Sequence, residues 1–192
     1  MGRAFLRALV EAPMQMDCPK CWGSDKACAR CGGDGKCDDV QLSPHFKLSE
    51  LLDSGTARSR KLSNDPSPEV LANLKKLCVE ALEPIRAAVG PLKINSGYRS
   101  DAVNKAVGGS TTSAHSFGLA ADLHPPKGCK KLMTDIIASG VKLDQIIYER
   151  TWVHVGLLHP STKAQRGQKL SMFVVGGKTV YEPFDPKDSR IA

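Results

Sequence analysis

Residues Ser113 to Asp122 read Ser-Ala-His-Ser-Phe-Gly-Leu-Ala-Ala-Asp, and the chain is organised around them. His115 and Asp122 stand seven positions apart, with Gly118 and Ala120 between them. This is half of a zinc site, because imidazole and carboxylate both suit that ion. The other half lies further on, where Trp152-Val153-His154-Val155 sets a histidine in an alternating apolar run. In a strand, His154 would face away from Val153 and Val155. Two imidazoles and one carboxylate leave a fourth coordination position for water, so such a site hydrolyses, whereas four protein ligands would close it. Leu119 to Leu123 is apolar around Asp122 and reads as a buried strand. A buried carboxylate without a partner is costly, which argues for a cation beside it.

The pattern Ser113-x-His115-x-x-Gly118-x-Ala120-x-Asp122, followed by Asp144-Gln145-Ile146-Ile147-Tyr148-Glu149 and Trp152-Val153-His154-Val155, resembles the zinc D-Ala-D-Ala carboxypeptidase family of peptidoglycan peptidases. Within that family it is similar to the compact peptidases of bacteriophages and prophages. The resemblance extends upstream through Leu42-Ser43-Pro44-His45-Phe46, the segment from Pro68 to Val89, and Ser96-Gly97-Tyr98-Arg99-Ser100. It implies an α+β fold of the hedgehog/D-Ala-D-Ala carboxypeptidase type, with a small antiparallel sheet and helices. It also implies that His115, Asp122 and His154 hold the catalytic zinc, and that Arg99 faces the metal pocket. There a guanidinium can hold a substrate carboxylate or stabilise a tetrahedral oxyanion. Ser113 is expected to bind substrate. His124 would share the face of Asp122 in an extended strand, yet the family pattern gives it no role, and it ranks below the other two histidines.

Some members of that family carry the catalytic glutamate three residues before the last histidine. Here that position is Thr151, so the base expected is Glu149, five residues before His154 and at the rim of a short turn. The implied substrate is a stem or crosslink peptide of bacterial peptidoglycan. Carboxypeptidase and endopeptidase action both remain open.

The N-terminal segment is a separate problem. Cys18-Pro-Lys-Cys21-Trp-Gly and Cys28-Ala-Arg-Cys31-Gly-Gly-Asp-Gly repeat a Cys-x-x-Cys-x-Gly unit ten residues apart. Paired knuckles of this kind let Cys18, Cys21, Cys28 and Cys31 converge on one structural zinc, a reading favoured over redox thiols or disulfides. The second unit resembles the zinc-binding repeats of DnaJ-type chaperones, while the first has Asp25 where the last glycine would fall. Cys37 is a spare thiol or a substitute ligand. Few large apolar groups occur here, so the segment depends on its metal for folding. A composition shift sets the domain boundary near residue 40, giving a cysteine unit over 1–40 and a peptidase domain over 41–192.

The 192 residues suffice for one core and a small appendage. A net charge of +7 and a pI near 9.1 favour an anionic partner, and nucleic acid, a membrane surface and an acidic cell wall all qualify. The basic residues are scattered among acids, so charge alone does not choose. No run approaches the about eighteen apolar residues of a membrane span, and Met1 to Ala12 is too broken for a secretory signal. The expectation is synthesis in the bacterial cytoplasm and action on the wall after release at lysis, as an endolysin, or as a virion component. The cysteine unit would then anchor to phage tail or capsid proteins or to the wall. A competing reading is a catalytically inactive virion protein, structural or gripping nucleic acid through the knuckle. Against nucleic acid, the knuckle lacks interleaved basic and aromatic residues.

Elsewhere a short amphipathic helix is expected over Gly2 to Glu11 and a polar loop over Ser54 to Asp65. A helix capped by Ser67 should start at Pro68, be kinked or interrupted at Pro84 and end at Gly90. Gly108 to Thr112 reads as a flexible approach to His115, Gly128 to Ser139 as a helix, and Lys169 to Tyr181 as a hairpin turning at Gly176-Gly177. Trp152 is expected to pack under the metal site. His45 is expected to pack or lie on the surface, the tail from Pro183 to be loose, and His159 to have no role.

Overall fold

The computed structural model describes residues 15–22, 26, 28, 30, 33–160 and 162–191. The helix expected over Gly2 to Glu11 and the expected ligand Cys31 lie outside them. Strands β1 (Gln15–Asp17) and β2 (Lys36–Asp38) pair antiparallel beside the cysteines. Then β3 (Gln41–Ser43) and β4 (Phe46–Lys47) form a tight hairpin around Pro44-His45, and α1 (Leu48–Leu52) follows directly. His45 is exposed, and its Nδ1 lies 2.8 Å from Glu83 Oε2, a surface pair remote from any ligand role.

The segment expected as polar loop contains α2 (Gly55–Arg60). Ser54 Oγ accepts from the Ala57 amide, and Lys61 closes the helix in the left-handed conformation. Ala57 alone is buried, so the helix is set by its two caps and leaves almost no apolar periodicity to read.

Helix α3 (Pro68–Leu77) starts on its Ser67 cap as expected, and α4 (Glu83–Val89) ends at Gly90. Between them Cys78–Leu82 widens into a π-helical turn. Pro84 explains the widening, because it has no N–H to donate and its ring crowds the carbonyl of Glu80. Leu74, Leu77, Cys78, Ala81, Leu82 and Ile85 are all fully buried on one side of this composite helix. Each large one contributes about 1.5–3 kcal/mol by leaving water. Burial also pushes the Cys78 thiol up to about 12, so it packs as a small apolar group.

Beyond α4 come β5 (Ile94–Ser96), α5 (Asp101–Ala106), β6 (Ala120–Leu123), α6 (Cys129–Ser139), β7 (Gln145–Tyr148), β8 (Val153–Gly156), β9 (Gln168–Val175) and β10 (Lys178–Pro183). The main sheet has the order β10-β9-β7-β8-β6-β5. Its pairs are antiparallel except β7 with β9. That parallel pair arises because residues 157–167 return from the end of β8 to the start of β7, where Gln168 pairs with Gln145. The architecture is α+β.

Alternation divides the central strands. Ala121 and Leu123, Ile146 and Tyr148, and Val153 and Val155 belong to the core. Their neighbours Asp122, Ile147 and His154 therefore point to the opposite face. The tail is not loose. Phe184 donates its amide to Lys169 O and its ring lies 6.4 Å from Tyr148, while Ile191 is buried. Two apolar side chains in a polar stretch are enough to dock it.

Candidate active site

Asp122 on β6 is paired directly with His154 on β8, and His154 with Ile147 on β7. This register sets carboxylate and imidazole side by side on one row. His115 reaches the row from a short 3-10 turn, Ala114–Phe117, which Gly118 closes in the left-handed conformation. A side chain at Gly118 would also meet Val70 O at 2.9 Å, so glycine is required for both backbone and space.

The three donor atoms form a nearly equilateral triangle. His115 Nε2 lies 3.2 Å from His154 Nδ1 and 3.2 Å from Asp122 Oδ1, and His154 Nδ1 lies 3.0 Å from Asp122 Oδ1. Tetrahedral zinc with ligands at about 2.0–2.1 Å spans edges of roughly 3.3 Å, so the donor set fits that ion. The other nitrogen of His115, Nδ1, lies 2.6 Å from the carbonyl of Gly97. Donation to that carbonyl leaves Nε2 unprotonated for a metal. All three side chains are buried.

Burial lowers the His115 pKa, with Asp122 acting against it. Burial alone would raise Asp122, but the two imidazoles hold its carboxyl well below the usual carboxylate range. A neutral imidazole beside an ionised carboxylate is the protonation state that metal binding needs.

The cleft over this row is about 590 Å³, and Arg99, Ser113, Glu149, Trp152, His159 and Arg166 are among its walls. Glu149 pairs across the turn with Trp152, its amide donating to Trp152 O at 3.0 Å. Counting along the hairpin from Ile147 opposite His154, this puts Glu149 and Trp152 on the metal face. Thr151 is exposed in the turn. Burial is the largest cause pushing the Glu149 carboxyl above its ordinary value; Asp122 adds to it, and His154, Trp152 and Arg99 oppose it. Trp152 walls the cleft beside Glu149.

Arg99 Nη1 stands 4.0 Å from Asp122 Oδ2. Its Nε is buried without a hydrogen-bond partner among the described residues, a donor that a substrate oxygen would satisfy. Burial lowers the Arg99 pKa, against Asp122 and Glu149. Ser113 begins the His115 turn at the cleft wall. The approach expected to be flexible is pinned: buried Asn104 donates through Nδ2 to Ser110 O at 2.7 Å and accepts the Gly109 amide on its backbone carbonyl at 2.9 Å. His124 is exposed.

Two cleft residues escaped the reading of the sequence. His159, expected to be idle, is buried, lines the cleft and meets Phe117 edge-on at 4.6 Å. Arg166 clamps Asp144 at the start of β7, with Nε at 3.0 Å and Nη2 at 2.5 Å from Oδ2, and its amide at 2.7 Å from Oδ1. The only signal was an aspartate heading an apolar strand, where burial calls for a cationic partner.

This clamp carries a stability prediction. Burial opposes but Arg166 wins, so Asp144 titrates below its ordinary value. Its contribution is therefore present above the unfolded carboxylate pKa, near 3.9, and lost as pH falls through the lower folded value. Arg166→Leu should cost roughly 3 kcal/mol at pH 7 by removing the guanidinium from a buried carboxylate that then keeps only the amide of residue 166. The deficit should shrink in acid, and urea titrations from pH 7 down to pH 3 measure it.

Among the described residues a second cluster groups Cys18, Cys21 and Cys28, all buried. Cys18 Sγ and Cys28 Sγ are 3.9 Å apart, close to the roughly 3.8 Å edge of a zinc tetrahedron with thiolates at about 2.3 Å. Cys37 packs against the cluster.

A model of the peptidase M15 family matches residues 44–156, more than half of the chain. The matched span contains Arg99, Ser113, His115, Asp122, Glu149 and His154 and leaves out the cysteine cluster and the β9–β10 hairpin. No curated protein matches the chain.

Proposed function

The chain belongs to the peptidase M15 family and is a zinc metallopeptidase, and on that footing we propose that it cleaves the peptides of bacterial peptidoglycan. The convergence of His115, Asp122 and His154 into a triangle with edges of 3.0–3.2 Å carries the reading of the catalytic centre. These three residues would hold the catalytic zinc. When bound, zinc brings the pKa of water toward neutrality and polarises the peptide carbonyl.

Glu149 accepts a proton from the attacking water as its oxygen bonds to the amide carbon. It then delivers that proton to the departing nitrogen as the C–N bond breaks, giving a carboxylate and an amine. Arg99 donates to the oxygen on which negative charge develops, or to a substrate carboxylate. Ser113 offers a hydroxyl to the bound peptide. Residues 41–192 carry this chemistry. In the segment before residue 41, Cys18, Cys21 and Cys28, with Cys31 as the fourth ligand expected from the sequence, would hold a second, structural zinc.

The enzyme's place is a phage or prophage lysin, released at lysis or carried on the virion. The resemblance to compact phage peptidases and the pI near 9.1, which suits an acidic wall, support it. No helix among the described residues is long and apolar enough to cross a membrane. Incubation with purified sacculi is expected to release stem-peptide fragments, and mass spectrometry of them identifies the bond. A terminal D-amino acid alone marks a carboxypeptidase, and a split crosslink marks an endopeptidase. Intact sacculi with zinc-loaded protein would overturn the substrate.

A further inference from the structure

We infer that the cysteine unit acts on the catalytic centre through Asn64, a positioning residue for Arg99 and His115; the inference rests on the roles given to those two residues above. Asn64 lies on the strap between α2 and α3, is fully buried, and sits in neither metal cluster.

Three contacts fasten this strap to the cysteine loop. The Asn64 amide donates to the carbonyl of Pro19, next to Cys18, at 2.7 Å. Trp22, next to Cys21, donates through Nε1 to Leu62 O at 2.9 Å. Arg30 Nη1 pairs with Asp65 Oδ1 at 2.7 Å. Each contact starts within two residues of a cysteine, so the fold of the thiolate loop sets the position of residues 62–65.

From the strap, the Asn64 side chain holds both neighbours of Arg99. Its Nδ2 donates to Tyr98 O at 3.1 Å and to Leu52 O at 3.0 Å, and its Oδ1 accepts the Ser100 amide at 2.8 Å. Ser100 Oγ also donates to Ser63 O at 2.7 Å. The same loop fixes a metal ligand: Gly97 O faces His115 Nδ1, and the Arg99 amide donates to His115 O at 3.2 Å. The loop is seated against α1, where Tyr98 donates its amide to Leu51 O at 2.7 Å and a side chain at Gly97 would strike that oxygen at 2.4 Å. Only glycine allows this approach. A run of hydrogen bonds, buried at Asn64 and His115 and part-buried at Trp22 and Ser100, thus leads from the cysteine loop to Arg99 and His115. An amide held by three hydrogen bonds in a fully buried position transmits a shift of the strap instead of absorbing it.

Hydrogen–deuterium exchange on the full-length, zinc-loaded protein reads this coupling without an activity measurement. In Cys18→Ser, and in Trp22→Phe, which keeps every cysteine, the amides of Asn64, Tyr98 and Ser100 should exchange about fivefold faster, the equivalent of one lost hydrogen bond. Those of α3 should stay protected. Asn64→Ala should loosen Tyr98 and Ser100 and leave residues 15–22 unchanged. Peptide cleavage by Trp22→Phe should fall about fivefold in kcat/KM with zinc content unaltered. Faster exchange confined to residues 15–38, with 98–100 still protected, would overturn the coupling whatever the protein cleaves. The predicted exchange pattern in these variants, with a wild-type protein that cleaves no peptide, would support the coupling and overturn the peptidase roles.

Discussion

Glu149→Gln is expected to lower kcat by a factor of about 10² to 10⁴, the usual contribution of a positioned general base. Zinc content should stay at the wild-type value, because Glu149 lies outside the ligand triangle. The glutamine is nearly isosteric and keeps the place of Glu149 beside Trp152 on the metal face. What it loses is a basic oxygen able to take a proton. Since burial raises the wild-type carboxyl above its ordinary value, the acid limb of activity should lie above the pH at which a solvated glutamate titrates, and the variant should lack that limb. Single-turnover cleavage followed across pH measures both. Full activity in this variant would hand the proton transfer to another group.

The position of Glu149 also marks where the sequence could be read and where it could not. Spacing along the chain placed the glutamate five residues before His154, two further than in some relatives. In three dimensions strand pairing, and not separation along the chain, sets what is adjacent to His154. Ile147 faces His154, so two steps along β7 keep Glu149 on the same face. Asp122 and His154 were legible for the same reason, each sitting in an alternating or apolar run whose period fixes its face. Asn64, His159 and Arg166 were not. They lie in polar connections, where no period exists and partners are set by loops that meet only after the sheet has formed. α2 was missed through its shortness, having two caps and one buried alanine. The π turn shows the intermediate case: Pro84 announced a break, but the sequence does not say how the carbonyls upstream resettle.

Asp122→Asn is expected to remove the catalytic zinc, and with it hydrolysis, while sparing the zinc of the cysteine unit. The change keeps the shape of the side chain and deletes its charge. Two neutral imidazoles then face a carboxamide, a poor ligand for this ion. Loss of an outer-shell partner costs about 10- to 100-fold in metal affinity, so loss of a direct ligand should exceed that. Elemental analysis should find about half the wild-type zinc, and the remainder should follow Cys18→Ser instead. Stability separates the two sites again. At a zinc concentration a thousand times its dissociation constant, the wild-type fold gains about 4 kcal/mol from the catalytic ion, and Asp122→Asn should forfeit that increment. Without metal the deficit should be smaller but keep its sign. The ionised Asp122 carboxylate is held by His115 and His154, which keep its folded pKa below the unfolded value, so its contribution is present at neutral pH and lost only as pH falls through the folded value. The metal-free variant should therefore still melt below the metal-free wild-type protein. A variant that kept both ions and full activity would show that the carboxylate lies beside the metal without binding it.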